Sequence, residues 1–325
     1  MSELSIASDG RDAPPAFLGK VAVAGRAGLS RIWIANHLFL RDPISLAGAA
    51  LGTSRGLRVN LMAMSPFTIH PVQLAMAAAT LDEFYPGRVG LCLGSGAPAD
   101  LASVGIDSAR PLGALREALR LVRALLAGET VKFQGKAYRV DARQLVHGTR
   151  AVPLTLAASG PKMLEMAGAE ADAVLISAGT SVEFVRWSLD HVARGANGRP
   201  VRRVGLVYAS VADDPGLAHD RLRRILAITL RGAHHTHNLE LAGNRLDQDR
   251  LRAAAAASDW PAATALITDR IVETHAASGT PAQLAARLRV FREAGLDEIV
   301  VTGVADPDHL KQIIAAAGLS PKGEP

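Results

Sequence analysis

Four short stretches of the chain bring together residue types that can act on a small molecule. Asn36-His37 sets an imidazole directly after the apolar run at 31–35, and histidine is the side chain best suited to proton transfer near neutral pH. His37 is read as the catalytic group, the alternative being a brace for the loop that leads to Pro43. Met62-Ala63-Met64 enters a loop stiffened by Pro66 and Pro71. His70 is read there as structural, because Pro71 suits the first position of a helix. Gly94-Ser95-Gly96-Ala97 offers small residues that let backbone approach a planar ring or a phosphate. It is not a dinucleotide fingerprint, since the third glycine is missing and the next helix begins late. Ala158-Ser159-Gly160-Pro161-Lys162 runs straight into a helix start. Free backbone N–H groups, a hydroxyl and a lysine charge meet there as a candidate phosphate site; the alternative is an ordinary serine-capped helix.

Other reactive residue types read as inert. Cys92 is the only cysteine and sits inside an apolar run, so it is read as core. A lone cysteine rules out an intrachain disulfide and a cysteine-based zinc site. His234, His235 and His237 lack helical metal spacing and a neighbouring carboxylate pair, so no metal is expected. They are read as lining a substrate entrance or as a solvated face. No Ser-His-Asp set or glycosidase carboxylate pair stands out by spacing.

These stretches all follow strand-like segments. Strands are predicted at 4–7, 31–35, 56–62, 88–93, 153–158, 171–177, 203–211 and 298–302. Helical segments follow them, at 14–27, 43–52, 71–84, 111–127, 161–168, through 191, from 215 to about 270, and at 281–294 and 307–317. The strands are continuous apolar runs rather than alternations, as expected when both faces are buried. This predicts an α/β fold, a single (β/α)8 TIM barrel over residues 1–325, with functional groups at the strand C-termini. An open doubly wound sheet is the rival, but no linker divides the chain. Residues 130–140 look like a small hairpin, and the segment 232–277 is the longest insertion, placed after the seventh strand.

Composition narrows the class. Of 325 residues 49% are hydrophobic and 4% aromatic, which provides a large Ala/Leu/Val core. The net charge of +5 is scattered along helices without aromatic platforms, so nucleic acid is not an expected partner. An anionic small molecule is, such as a phosphorylated cofactor. No secretion signal or membrane-length apolar run is visible, and a cytoplasmic location is expected.

Taken in order, the segments IWIANHLFLRDP, SPFTIHPVQLAMAAATLDEFYPGRVGLCLGSG, PLTLAASGPKMLEMAGAEADAVLIS and GTPAQLAARLRVFREAGLDEIVV resemble the luciferase-like monooxygenase superfamily, in particular its deazaflavin-dependent branch. The resemblance implies FMN or the deazaflavin coenzyme F-420 at the strand ends. Asn36 and His37 would lie near the reactive ring, and Met62-Ala63 would match a non-prolyl cis peptide beneath it. The Gly94–Ala97 loop would touch ring or ribityl chain, and Ala158–Lys162 the phosphate. The implied reaction moves a hydride between a deazaflavin and a C=N, C=C or C=O group. The alternatives are an FMN-dependent monooxygenase, a nicotinamide-using reductase of a methylene-pterin or folate, and a cofactor-binding protein without turnover. A homodimer is also implied. Asn36 and Ala97 stand where relatives usually carry acids, and the first strand offers only the nearby Asp9 in place of a glutamate. His37 is left as the main proton-transfer candidate.

Overall fold

The computed structural model describes residues 3–319. Its first half contains β1 (Glu3–Ser8), α1 (Pro14–Arg26), β2 (Arg31–Ala35), α2 (Pro43–Thr53), β3 (Arg58–Met64), α3 (Pro71–Phe84) and β4 (Val89–Leu93). Then come α4 (Pro98–Ser103), α5 (Pro111–Leu126), β5 (Val131–Gln134) and β6 (Arg139–Arg143). The second half runs through β7 (Leu154–Ala158), α6 (Pro161–Glu170), β8 (Ala173–Ile176), α7 (Val182–Ala196), β9 (Arg202–Val211) and α8 (Pro215–Leu230). A 3-10 turn (Ala233–His235) leads into α9 (Thr236–Leu241), α10 (Gln248–Ala256), α11 (Trp260–Ala265) and α12 (Asp269–His275). The chain ends with β10 (Ala277–Gly279), α13 (Pro281–Glu293), β11 (Glu298–Thr302) and α14 (Pro307–Ala316).

Proline opens most of these helices, among them α1, α2, α3, α6 and α14, where its missing N–H costs no hydrogen bond. Side-chain caps set several starts: Asp42 accepts from Ser45 N at 2.7 Å, and Thr280 with Gln283 forms a capping box. β1, β2, β3, β4, β7, β8, β9 and β11 are joined edge to edge in parallel, and β9 pairs with both β8 and β11. The eight strands thus close on themselves as a (β/α)8 TIM barrel. β5 and β6 form the separate hairpin, and the short β10 lies against the end of β9.

The expected alternation holds with local changes. β3 runs through Met64, so Ala63 and Met64 belong to the strand rather than to the loop after it. The stretch read as helical from 215 to about 270 is broken into α8 and four shorter helices with a 3-10 turn. These bury a small core of their own, with Leu222, Leu226, Leu251, Ile267 and Val272 fully buried.

Alternation along each strand divides the main core in two. Ile6, Ile32, Ile34, Leu61, Leu91 and Leu93 join the core cluster of the helices, while Ala7, Trp33, Ala35, Met62, Cys92, Leu175, Val204 and Val300 form a separate cluster. Trp33 fills the lower barrel, level with Ala7 on one neighbouring strand and Asn60 on the other. Gly90 makes room for the Asn60 side chain; a Cβ there would stand 2.4 Å from Asn60 Oδ1. The Trp33 indole N–H donates to Glu298 Oε1 at 2.8 Å, and Ser5 Oγ donates to the same oxygen at 2.7 Å. Glu298 is fully buried and is also met by Arg202 at 3.0 Å and Arg31 at 3.6 Å. The N-terminal end of the barrel is therefore sealed by one carboxylate and its donors.

Replacing Glu298 by Ala strands the Trp33 and Ser5 donors and leaves the Arg31 charge buried without its partner. A loss of about 3–5 kcal/mol in unfolding free energy is expected, read by denaturant titration. A loss below about 1 kcal/mol, the scale of an exposed pair, would show that the seal is dispensable.

Candidate functional site

With the bulk of Trp33 low in the barrel, the upper interior is lined by small side chains. A cavity of about 500 Å³ opens at the C-terminal ends of the strands, a size suited to a small ligand. Its floor and lower walls carry Ala35, Met62, Ala63, Gly94, Ala157 and Leu206. Gly94 is required by contact, since a Cβ on it would lie 2.7 Å from the Ala63 Cβ.

Met62 and Ala63 both line this cavity because the β3–β4 register shifts between Leu61 and Met64. Such an irregularity turns two successive residues toward one side. Met64 then points outward and is fully buried in the outer core, so its expected place in the site is corrected. The peptide bonds of the described residues are all trans, which corrects the cis bond expected at Met62-Ala63.

Asn36, His37, Ser95, Gly96, Ala97, Ala158 and Ser159 also line the cavity, as expected of strand ends. Gly160, Pro161 and Lys162 do not; they lie exposed just beyond Ser159, at the start of α6. Gly160 is the N-cap residue and no side chain caps the helix. The serine-capped alternative is thus not what forms; Pro161 carries no N–H and Met163 N donates to Gly160 O at 3.0 Å, which leaves the Lys162 N–H of the first turn near the cavity mouth.

Hydrogen bonds hold the rim. Ser65 Oγ donates to Ser95 O at 3.0 Å and ties the loop after β3 to the loop after β4. The β5–β6 hairpin braces the same loop, where Tyr138 donates to Pro66 O at 2.9 Å and stands edge-on to His70 at 5.4 Å. His70 Nδ1 accepts from Val72 N at 3.2 Å, the structural role expected of it. Cys92 is fully buried and burial pushes its thiol pKa up, in keeping with an inert core residue.

His37 is exposed at the rim. Crowding by protein atoms lowers its pKa, and the charge of Asp9 partly opposes this. The imidazole is accordingly neutral at pH 7 and free to accept a proton. Ser65, Thr68, Asp100, Leu175, Ser177 and Leu206 also line it without having been expected there, and of the two readings of His234, entrance lining or solvated face, the cavity lining includes it. Ser177 follows β8 immediately and was within reach of the strand-end rule. Leu175 and Leu206 needed the barrel register, and His234 needed the path of the insertion.

That insertion is clamped onto the barrel through buried polar groups. Asn238 Oδ1 accepts from Ser181 N at 2.9 Å and its Nδ2 donates to Gly179 O at 2.8 Å. His275 Nδ1 lies 3.0 Å from Gly179 O, and its Nε2 lies 3.0 Å from Asn244 Nδ2. His235 and His275 are 3% and 1% exposed, so burial holds both imidazoles neutral. Burial lowers their pKa values to about 3 and about 4, with the mutual repulsion of protonated imidazoles at His234 and His275 adding to the effect at His235.

In the unfolded chain each histidine titrates near pH ~6.5. Below that pH the unfolded chain binds protons that the fold refuses, so stability falls as pH drops toward 4. The expected slope is about 1.4 kcal/mol per pH unit for each histidine. Denaturant titrations across this range check it, and His275→Gln should remove about half of the slope. An unchanged slope in that variant would show that His275 does not carry the acid sensitivity.

Residues 5–298 match the luciferase-like monooxygenase family. The chain is 27% identical over 301 residues to a 5,10-methylenetetrahydromethanopterin reductase of Archaeoglobus fulgidus, covering 90% of this chain and 91% of that one. It is 29% identical over 273 residues to an F-420-dependent glucose-6-phosphate dehydrogenase of Nocardia farcinica, covering 79% and 77% respectively. The fold is shared with the coenzyme F-420-dependent tetrahydromethanopterin reductase of Methanopyrus kandleri, with a TM-score of 0.88, 20% identity and coverage of 96% and 97%. With the match extending over nearly all of the barrel, the chain belongs to the luciferase-like monooxygenase family.

Proposed function

We propose that this protein is an F-420-dependent oxidoreductase that moves a hydride between the deazaflavin and a small substrate bearing a C=N, C=C or C=O group. The observation that carries the reading is the cavity floor. Ala35, Ala63, Gly94 and Ala157 leave a bed of small, uncharged residues at the strand ends. A planar tricyclic ring fits that bed, and Gly94 keeps it open where a side chain would collide with Ala63. The relatives named for F-420 support this cofactor over FMN.

When bound, the deazaflavin supplies or takes up the hydride, a two-electron change at its reactive ring carbon. In the reducing direction the hydride adds to one unsaturated carbon, and the heteroatom of C=O or C=N, or the second carbon of C=C, takes a proton. Asn36 and Ser95 are placed to bind the ring edge or its side chain. The Ser159 hydroxyl and the start of α6, with the Lys162 backbone N–H and ammonium, suit a phosphate on the ribityl chain. His37 manages the proton: its neutral ring accepts one from an alcohol, or passes one to the reduced heteroatom after taking it from solvent. The whole chain is read as one functional unit. An unpaired, buried Cys92 accords with a cytoplasmic location.

A homodimer is also supported. Met76 and Phe84 stand exposed two turns apart on α3, and Val146 is exposed on the loop that meets α3 through a Thr80–His147 contact of 2.9 Å. Light scattering should return twice the chain mass; the mass of one chain would refute the dimer.

Equilibrium titrations with F-420, FMN and NADPH test the cofactor. Micromolar or tighter binding of F-420 is expected, and tight FMN binding with none of F-420 would overturn the reading. His37→Ala should slow single-turnover hydride transfer by about a hundredfold and leave F-420 affinity within about threefold. An unchanged rate would remove His37 from the chemistry.

A further inference from the structure

Phe39 stands where two local rules would exclude it. Leu40 N donates to His37 O at 3.3 Å, which closes a turn with Leu38 and Phe39 at its centre. Phe39 holds φ at 64° while Leu38 keeps a negative φ, the pattern of a type II turn. The third position of such a turn suits glycine or asparagine, because a Cβ there crowds the backbone. Phe39 is also 84% exposed, so its ring gains no packing to offset the strain.

This turn borders the cavity. His37 and Leu38 both line it, and Phe39 is the next residue along. The ends of the turn are fixed. On the strand side Asn36 N donates to Met62 O at 2.6 Å. On the helix side Arg41 Nη1 donates to Gly10 O at 3.2 Å and to Arg11 O at 2.8 Å. Gly10 permits this approach, since a Cβ on it would lie 3.3 Å from Leu40 Cβ and from Arg41 O. Among the described residues, the His37–Leu40 hydrogen bond alone spans the segment between these anchors. Rotating the peptide between Leu38 and Phe39 converts type II to type I, removes the positive φ and leaves both ends in place. Strain confined to one residue beside a ligand cavity belongs to segments with two conformations.

We infer that the 37–40 turn is a lid, and that the Phe39 ring folds over the ligand once the cavity is filled. The inference rests on the reading of the cavity as a deazaflavin site, and it names the residue that covers the bound ring. Over an empty cavity the Phe39 ring would meet only water. Over a planar ligand it gains a stacking partner and buries apolar surface, and the turn relaxes as it closes. Water displaced by the ring no longer screens the polar contacts made inside the closed site.

The test compares the wild type with Phe39→Asn, which suits the turn but lacks the ring, and with Phe39→Tyr, which keeps the ring. Denaturant titration of the ligand-free proteins reads the strain, and Phe39→Asn should raise the folded-to-unfolded ratio by about fivefold. Titrations with F-420 and, separately, with FMN read affinity. Iodide quenching of the bound ligand's fluorescence reads its cover. Phe39→Asn should weaken binding by about tenfold and make the bound ligand more readily quenched; Phe39→Tyr should restore both. A gain in stability together with a loss of cover is not what a merely structural residue gives. Unchanged stability or unchanged quenching in Phe39→Asn would overturn the inference. So would a fall from two chains to one in light scattering with binding unaltered, which would make the ring a contact between copies of this chain. If only FMN binds and Phe39 covers it, the cofactor reading falls and the lid stands. If F-420 binds and Phe39 does not cover it, the lid falls and the cofactor reading stands. Binding of neither overturns both.

Discussion

The buried Glu298 carboxylate is the constraint on which the rest of the barrel depends. It is fully buried at the start of β11, and it survives there because two neutral donors and two guanidinium groups surround it. A carboxylate so placed needs donors in fixed positions. Meeting that need sets the orientation of Trp33, whose ring then occupies the lower barrel. β1, β2, β9 and β11 are tied together at the point where the sheet must close.

Sealing one end with a tryptophan decides what the other end becomes. The bulk of the interior is used low down, so the upper positions of β2, β3 and β7 are left to alanine. Packing here is differential, with a dense base and a hollow top whose hollowness is itself specified by side-chain size. The Gly94–Ala63 contact marks the limit of that design, because one added methyl group would already be too close. The cavity is therefore a product of the same close packing that stabilises the barrel.

The insertion after β9 adds what a plain barrel lacks. Its helices bury their own apolar core and grip the 179–181 loop through Asn238 and His275. Buried polar contacts of this kind have direction, so they fix the position of the insertion and with it the site of His234. The barrel supplies the alanine-lined floor of the cavity; the insertion contributes His234 to its rim.

The linear pattern determined the fold class, the order of strands and the strand ends that carry function, because apolar runs and proline-led helix starts are local consequences of residue type. Asn36-His37, Gly94–Ala97 and Ser159 were legible for the same reason: each stands where a strand stops. Only the tertiary structure decided that Met64 turns away from the cavity while Met62 and Ala63 face it, since a register shift between two strands has no signature in either strand alone. It also removed Gly160, Pro161 and Lys162 from the cavity and decided between the two readings of His234, which lies far from His37 in the chain and meets the same cavity only once the helices of the insertion have packed. Residue type and spacing along the chain identify which groups can do chemistry. Their common focus is set by barrel closure and by the docking of the insertion, and both depend on contacts between residues distant in sequence.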